Sequence, residues 1–210
     1  AGDTIRGWSV AARESEELHT PWSMLRQNAR QFYAAHDRYI RSFSSMQTLT
    51  SVRTMADLYL ESLGYPKAQP AVISVYDTVS VPVYLEMMKS NGAPQLWVIL
   101  TASCDEDAGI MESSSYDAAT IDEDASGTLY KGALSDMSNE DLATKILFGA
   151  AEPPRFLMFI SMNQIALIDR NKWNEKRYLQ FELEEIFSRL ENTTLQAMAV
   201  LLHKDSLCPD

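Results

Sequence analysis

The heptapeptide Gln95-Leu96-Trp97-Val98-Ile99-Leu100-Thr101 carries large apolar side chains at odd and even positions alike. A strand points successive side chains to opposite faces, so this run is hydrophobic on both and predicts a central strand covered from two sides. The Ser90-Asn91-Gly92 turn stands before it. Ahead of that turn, Val79 to Met87 reads as a strand, with Val79, Val81, Val83 and Leu85 alternating inward. Ala71 to Tyr76 reads as another, and Asp77-Thr78 as the turn between them. Pro82 cannot donate to a ladder, which places the second strand at an edge or a bulge. Further upstream, Val52, Met55, Ala56, Tyr59 and Leu63 share one face of a helix that Gly64 closes before Tyr65-Pro66.

Toward the N-terminus, Trp22, Leu25, Ala29, Phe32, His36, Ile40 and Phe43 recur at steps of three and four, the stripe of one amphipathic helix from Pro21 to about Phe43. Arg26, Arg30, Arg38 and Arg41 occupy its other faces with only Asp37 against them, which suits a docking helix, a solvated surface or a nucleic-acid arm. On the C-terminal side, Ser138 with Asp141 predicts the capped start of a helix from Leu142 to Phe148. Phe156 to Ile160 and Ile165 to Ile168 form a hairpin across Ser161 to Gln164, and Arg177 to Phe181 adds a third strand. Leu183, Ile186, Phe187 and Leu190 mark one more helix, and Thr193 with Gln196 caps a last one carrying Leu195, Met198, Ala199 and Leu202. The expected fold is mixed α/β, a central mixed sheet flanked by helices with helical N- and C-terminal extensions. Its expected division is a helical arm over 1–50 and an α/β domain over 51–210, with an acidic insertion at 103–137.

The net charge of −11 over 210 residues is concentrated in that insertion. Between Cys104 and Asp141 eleven acids face the single base Lys131, whereas the rest of the chain is nearly neutral. The insertion is rich in Ser, Asp, Ala and Gly without apolar periodicity, and reads as a long loop or a partly ordered insertion. No apolar run approaches the ~20 residues that a membrane helix needs, so no membrane partner is expected. Two cysteines, Cys104 and Cys208, without CxxC spacing argue against a disulfide framework or a zinc site and fit a reduced, cytoplasmic chain.

Motifs for stand-alone catalysis are missing: no GxGxxG, no phosphate-binding P-loop, no GxSxG and no HExxH, with His19, His36 and His203 scattered. The order of elements, a helix, a hairpin and then a buried strand, is that of a PD-(D/E)XK nuclease, where strand-borne carboxylates hold Mg²⁺ and a lysine two residues beyond the last acid helps activate water. Glu61, Asp77 and Glu86 are the carboxylates in the corresponding places. Where acid-x-Lys should stand, the chain has Leu96-Trp97-Val98-Ile99, and Glu86 and Lys89 are spaced one residue too far apart. The nuclease-like core is therefore read as degenerate, with no catalytic residue and no metal ligand assigned. A second candidate surface is Arg155, Arg170, Lys172, Lys176 and Arg177, which with Asp169 and Glu175 gives about +3 around Trp173 and suits phosphate contacts. Asp169, Arg170 and Trp173 equally suit a purely structural brace.

Phe156-Leu157-Met158-Phe159-Ile160, Asn163-Gln164, Asp169-Arg170, Lys172-Trp173, Glu175-Lys176-Arg177-Tyr178-Leu179 and Phe181-x-Leu183-x-Glu185-Ile186 together resemble a segment of large bacterial restriction-modification proteins. Leu201-Leu202-His203-Lys204-Asp205-Ser206-Leu207-Cys208-Pro209 is similar to the same family's approach to its methyltransferase domain, and Leu63-Gly64-Tyr65 to a helix end in its nuclease-like region. The family comprises type IIG enzymes and phage-defence relatives that carry an adenine-N6 DNA methyltransferase downstream. The resemblance implies DNA as partner of the full-length protein, S-adenosylmethionine as its cofactor, and a methyltransferase domain following Asp210. The family's own Asn-Pro-Pro-Tyr type motif and glycine-rich cofactor loop are not in this sequence, and Glu152-Pro153-Pro154-Arg155 does not replace them. The expected role is that of a non-catalytic N-terminal domain supporting DNA engagement or inter-domain communication. An active Mg-dependent endonuclease and a protein-interaction module are the alternatives.

Overall fold

The apolar heptapeptide lies in an interior strand. In the computed structural model, residues 1–15, 19–42, 45–76, 79–102, 108–115 and 137–209 are described, apart from the side chains of Ser45, Met46 and Tyr76. The helices α1 (Gly2–Glu14), α2 (Pro21–Gln27), α3 (Ala29–Ile40) and α4 (Ser45–Ser62) come first. Then follow β1 (Ala71–Tyr76), β2 (Val79–Val83), β3 (Leu85–Met88), β4 (Pro94–Leu100), α5 (Asn139–Gly149), β5 (Phe156–Ile160) and β6 (Gln164–Asp169). The chain closes with α6 (Arg170–Trp173), β7 (Leu179–Glu182), α7 (Leu183–Arg189), α8 (Asn192–Leu202) and α9 (Lys204–Leu207).

Five strands form one sheet in the order β3-β4-β5-β6-β7, and β1 and β2 form a separate antiparallel pair. Only β4 and β5 are parallel, in the register Trp97 to Leu157 and Val98 to Met158, with α5 in the connection between them. Strand alternation divides the core in two. Leu96, Val98, Met158, Ile160, Ile165 and Leu167 pack with Leu25, Phe32, Tyr59, Phe187, Leu195 and Leu202 from the helices α2, α3, α4, α7 and α8. Trp97, Ile99, Leu157, Phe159, Ala166 and Ile168 face the other way, against the β1-β2 hairpin, Ile110, Met111, Leu142, Ile146 and Trp173. Each large apolar side chain fully buried this way contributes about 1.5–3 kcal/mol, so β4 is held from both faces. Among the described residues no helix is long and apolar enough to cross a membrane.

Several expectations need correction. The helix from Pro21 is two helices, because Asn28 breaks it. Its backbone N–H returns to Leu25 O at 3.1 Å, and its side-chain amide donates to Ser62 Oγ at 2.9 Å and to Leu58 O at 3.3 Å. Both pieces dock on α4 with Trp22, Leu25 and Phe32 buried, but the stripe is not kept to its end: Ile40 is exposed and Ala35 is buried instead, and Phe43 lies outside the described residues. The strand from Val79 divides at Tyr84, whose N–H bonds to Val98 O, so that its first half pairs with β1 and its second with β4. The strand expected at Arg177 begins at Leu179, after a turn in which Lys176 takes φ 55°. The last long helix begins at Asn192 with Glu191 as N-cap and no side-chain cap, so Thr193 lies inside its first turn rather than capping it. Part of the acidic insertion is packed: Ile110 and Met111 are fully buried, while 103–107 and 116–136 lie outside the described residues. Helix α1 carries no apolar signature clear enough to be read, and docks through Trp8, 4.5 Å from His203 and 6.4 Å from Trp22.

Candidate functional site

The place where a nuclease would need charge is the β3-β4 ladder. Glu86 stands directly opposite Trp97. The Trp97 indole N–H donates to Glu86 Oε2 at 2.6 Å, and Trp97 itself is buried. A buried indole must find an acceptor, and here the carboxylate supplies it. Glu86 therefore closes the polar end of a core residue. Glu61 is exposed on α4, which covers the opposite face of the sheet from Trp97, so Glu61 and Glu86 lie on opposite sides of the sheet. Asp77 lies outside the described residues. Among the described residues no group of three or more His, Cys, Asp or Glu side chains is placed to hold a metal ion.

The five cations of the second candidate surface are brought to one region, around α6 and the neighbouring ends of β5 and β6. Arg155 Nε donates to Asp169 Oδ1 at 2.7 Å and its Nη2 to Oδ2 at 3.1 Å. This two-point fork is the geometry that guanidinium and carboxylate match best. Asp169 also accepts the Asn171 N–H and thereby caps α6. Burial pulls the Asp169 carboxyl upward, but the Arg155 and Asn171 hydrogen bonds and the Arg155 charge outweigh it and hold the group below the ordinary carboxylate value. Arg170 donates to Pro153 O, fastening α6 to the loop before β5. Lys176 Nζ sits 4.7 Å from the centre of the Trp173 ring, bonds Thr144 Oγ1 at 3.0 Å and pairs with Glu140 at 3.2 Å. Trp173 is fully buried and donates to the same Thr144 hydroxyl, so this lysine and tryptophan together clasp α5. Arg177 pairs with Glu175, and Lys172 is exposed with no side-chain partner among the described residues. Arg155 and Arg170 thus brace the hairpin, while Lys172, Lys176 and Arg177 are open to solvent.

At the carboxyl ends of the parallel strands, where α/β sheets commonly hold ligands, the structure has a saturated polar cluster instead. Asn139 and Thr101 are wholly buried. The Asn139 amide donates to Thr101 Oγ1 at 2.9 Å and to Ile110 O at 2.8 Å, and its oxygen accepts from Ser115 Oγ at 2.5 Å. Gln164 accepts from the Ile110 N–H at 2.7 Å and donates to Glu182 at 3.0 Å. Three separate chain segments are joined there with every Asn139 donor and acceptor used. Among the described residues the cluster ties β4, the 110–115 segment and α5 together at that end of the sheet.

His203 and Cys208 are the remaining groups of chemical interest. His203 Nδ1 accepts the Asp205 N–H at 3.0 Å as the cap of α9, and burial lowers its pKa from the ordinary value. Burial likewise pushes the Cys208 thiol up to about 11, so it is protonated at neutral pH and a poor nucleophile. Sequence reasoning overlooked the Asn139 cluster, where Ser138 with Asp141 gave only a helix start, and the Trp97-Glu86 bond. Cross-strand register is what pairs residues eleven apart, and no local spacing announces it. Gly64 is packed against His203 and Gly92 sits in the β3-β4 turn. Set beside known protein families, curated proteins and solved structures, the chain matches none.

Proposed function

We propose that this chain is a non-catalytic domain of a bacterial restriction-modification protein, in which a degenerate nuclease-like core supports DNA engagement or communication with an adenine-N6 methyltransferase domain. In that reading S-adenosylmethionine serves the full-length cytoplasmic protein and not this part of it. The observation that carries the non-catalytic role is the Trp97-Glu86 bond: the carboxylate best placed to hold Mg²⁺ is spent on a buried indole, and its neighbour across the ladder is an apolar ring. The observation that favours DNA is the open trio Lys172, Lys176 and Arg177. An exposed ion pair such as that of Arg177 contributes about 0–1 kcal/mol, so exchanging its carboxylate partner for a backbone phosphate is inexpensive, whereas Lys176 is also held by Trp173 and Thr144.

Fluorescence anisotropy of a labelled duplex over a range of salt concentrations tests the DNA role. Binding that weakens steeply with salt and is lost in Lys172→Glu with Lys176→Glu supports it. Salt-insensitive behaviour that neither substitution alters favours the protein-interaction reading, for which α3 offers exposed Tyr33 and Ile40 beside Arg30 and Arg38. Incubation of the same duplex with Mg²⁺ tests the catalytic silence: cleavage abolished by Glu86→Ala would overturn it.

A further inference from the structure

At the amino ends of the parallel strands, opposite the polar cluster, a cleft of about 230 Å³ opens between the β3-β4 turn, the start of β5 and the last residues of the chain. Its lining includes Lys89, Gln95, Arg155 and Cys208. Gln95 is 9% exposed, and its amide nitrogen donates to Leu207 O at 2.6 Å. That bond fixes the orientation of the amide, and it leaves Gln95 Oε1 buried with no donor. A buried acceptor without a partner costs about 1–3 kcal/mol, so an orphan beside an open cleft marks a place where a donor is expected to arrive. The charges around it are unequal. Arg155 is matched by Asp169, whereas Lys89 makes no ion pair among the described residues. The Cys208 thiol adds no negative charge at neutral pH.

We infer that this cleft binds a protonated oxyanion of the hydrogen-phosphate class, its anionic oxygens held by Lys89 with Arg155 beside it and its own O–H donated to Gln95 Oε1. The inference rests on a single arrangement: a cation unmatched among the described residues and a glutamine with a buried orphan acceptor, both residues lining one cavity. A bare anion satisfies Lys89 and leaves Gln95 unpaired, and a neutral donor does the reverse. An oxyanion that keeps one proton serves both. A cleft of this volume holds several water-sized groups, enough for a phosphate group. Free inorganic phosphate and the terminal phosphate of a nucleotide share this chemistry. The site does not depend on the DNA role, since Lys172, Lys176 and Arg177 are not among its lining residues.

The test is isothermal titration of the full chain at pH 6 and matched ionic strength with sodium phosphate, sodium sulfate and a nucleoside 5′-monophosphate. Near this pH a phosphomonoester, with its second pKa about 6, also carries a P–OH in part, whereas sulfate carries none. Phosphate is expected to bind about tenfold or more tightly than sulfate, because sulfate leaves the buried acceptor unpaired. Lys89→Gln, a change at a half-buried turn residue outside the core clusters, is expected to weaken phosphate binding at least about tenfold. Gln95→Met is expected to abolish the preference for phosphate over sulfate. Tighter binding of the nucleoside monophosphate than of free phosphate identifies a nucleotide terminus as the source, and the reverse order identifies the free ion. No heat with phosphate, equal affinity for phosphate and sulfate, or unchanged affinity in Lys89→Gln overturns the inference.

Discussion

The two ends of the β4-β5 pair are built from the same kinds of residue and have opposite polar economies. At the carboxyl end Asn139, Thr101 and Ser115 satisfy one another and Gln164 takes the Ile110 N–H, while the neighbouring Asn163 Oδ1 is buried without a donor among the described residues and does not border the cleft. At the amino end Gln95 makes one hydrogen bond and withholds another, next to a cleft and a lysine without an ion pair among the described residues. Side-chain amides therefore have two uses here, separated by whether the partner comes from the chain. Saturation makes structure, and an unsatisfied remainder beside a cleft makes a site. The usual preference for ligands at the carboxyl ends of parallel strands is thus set aside for a physical reason, because the residues that could have received a ligand there already hold each other.

The largest effect should come from breaking the saturated end. Asn139→Ala removes two donors and one acceptor at a fully buried position, orphans Ile110 O and opens a small cavity. The expected cost is about 3 kcal/mol, which for a chain of this size lowers the melting temperature by about 6–12 °C. Thermal unfolding followed by circular dichroism reads it directly. A loss under 2 °C would mean that the cluster is not the closed, structural device described above.

An intermediate effect is expected at the other end from Asp169→Asn, which keeps the α6 cap oxygen but removes the charge facing Arg155. Because the folded carboxyl lies below its ordinary value of 3.8, its contribution is present above about pH 4 and is lost as pH falls through the lower, folded value. Asp169→Asn should therefore be less stable than the parent at pH 7 by about 1 kcal/mol, a figure already reduced for the partial exposure of both partners. The difference should vanish at pH 2. A gap that persists unchanged into acid would assign the loss to packing instead of charge.

Much of this was legible in the sequence, for reasons that can be assigned residue by residue. The heptapeptide announced a strand covered on both faces, because burial on two sides leaves no polar alternation to mislead, and Ser138 announced a helix start because capping is local. The Tyr84 division and the Asn28 break were not legible, since each depends on a partner far along the chain, Val98 for one and Leu58 with Ser62 for the other. The same limit applied to the candidate site. Arg155 and Asp169 could be flagged by charge, but that they spend themselves on each other follows from the β5-β6 register, which pairs Phe156 with Asp169. Gln95 was hidden most completely. In the sequence it is only the polar first residue of an apolar run, and its importance arises when Leu207, 112 residues away, fixes its amide.

The smallest expected change in stability is the most informative about the comparison. Gln95→Met fills a similar volume, gives up the bond to Leu207 O, which loses this donor, and removes the orphaned Oε1, so that one unpaired acceptor replaces another. A hydrogen bond contributes about 0.5–1.5 kcal/mol net, and the two unpaired acceptors offset each other, so the change stays within roughly 1 kcal/mol. The melting temperature in phosphate-free buffer should therefore fall by no more than about 2–4 °C. Asn139 and Gln95 are both buried amides on the same pair of strands or its connection, and only the saturated one should behave as a keystone of the fold. If Gln95→Met unfolds the chain as readily as Asn139→Ala, Gln95 Oε1 already has its donor in solution, and the amino end is as closed as the carboxyl end.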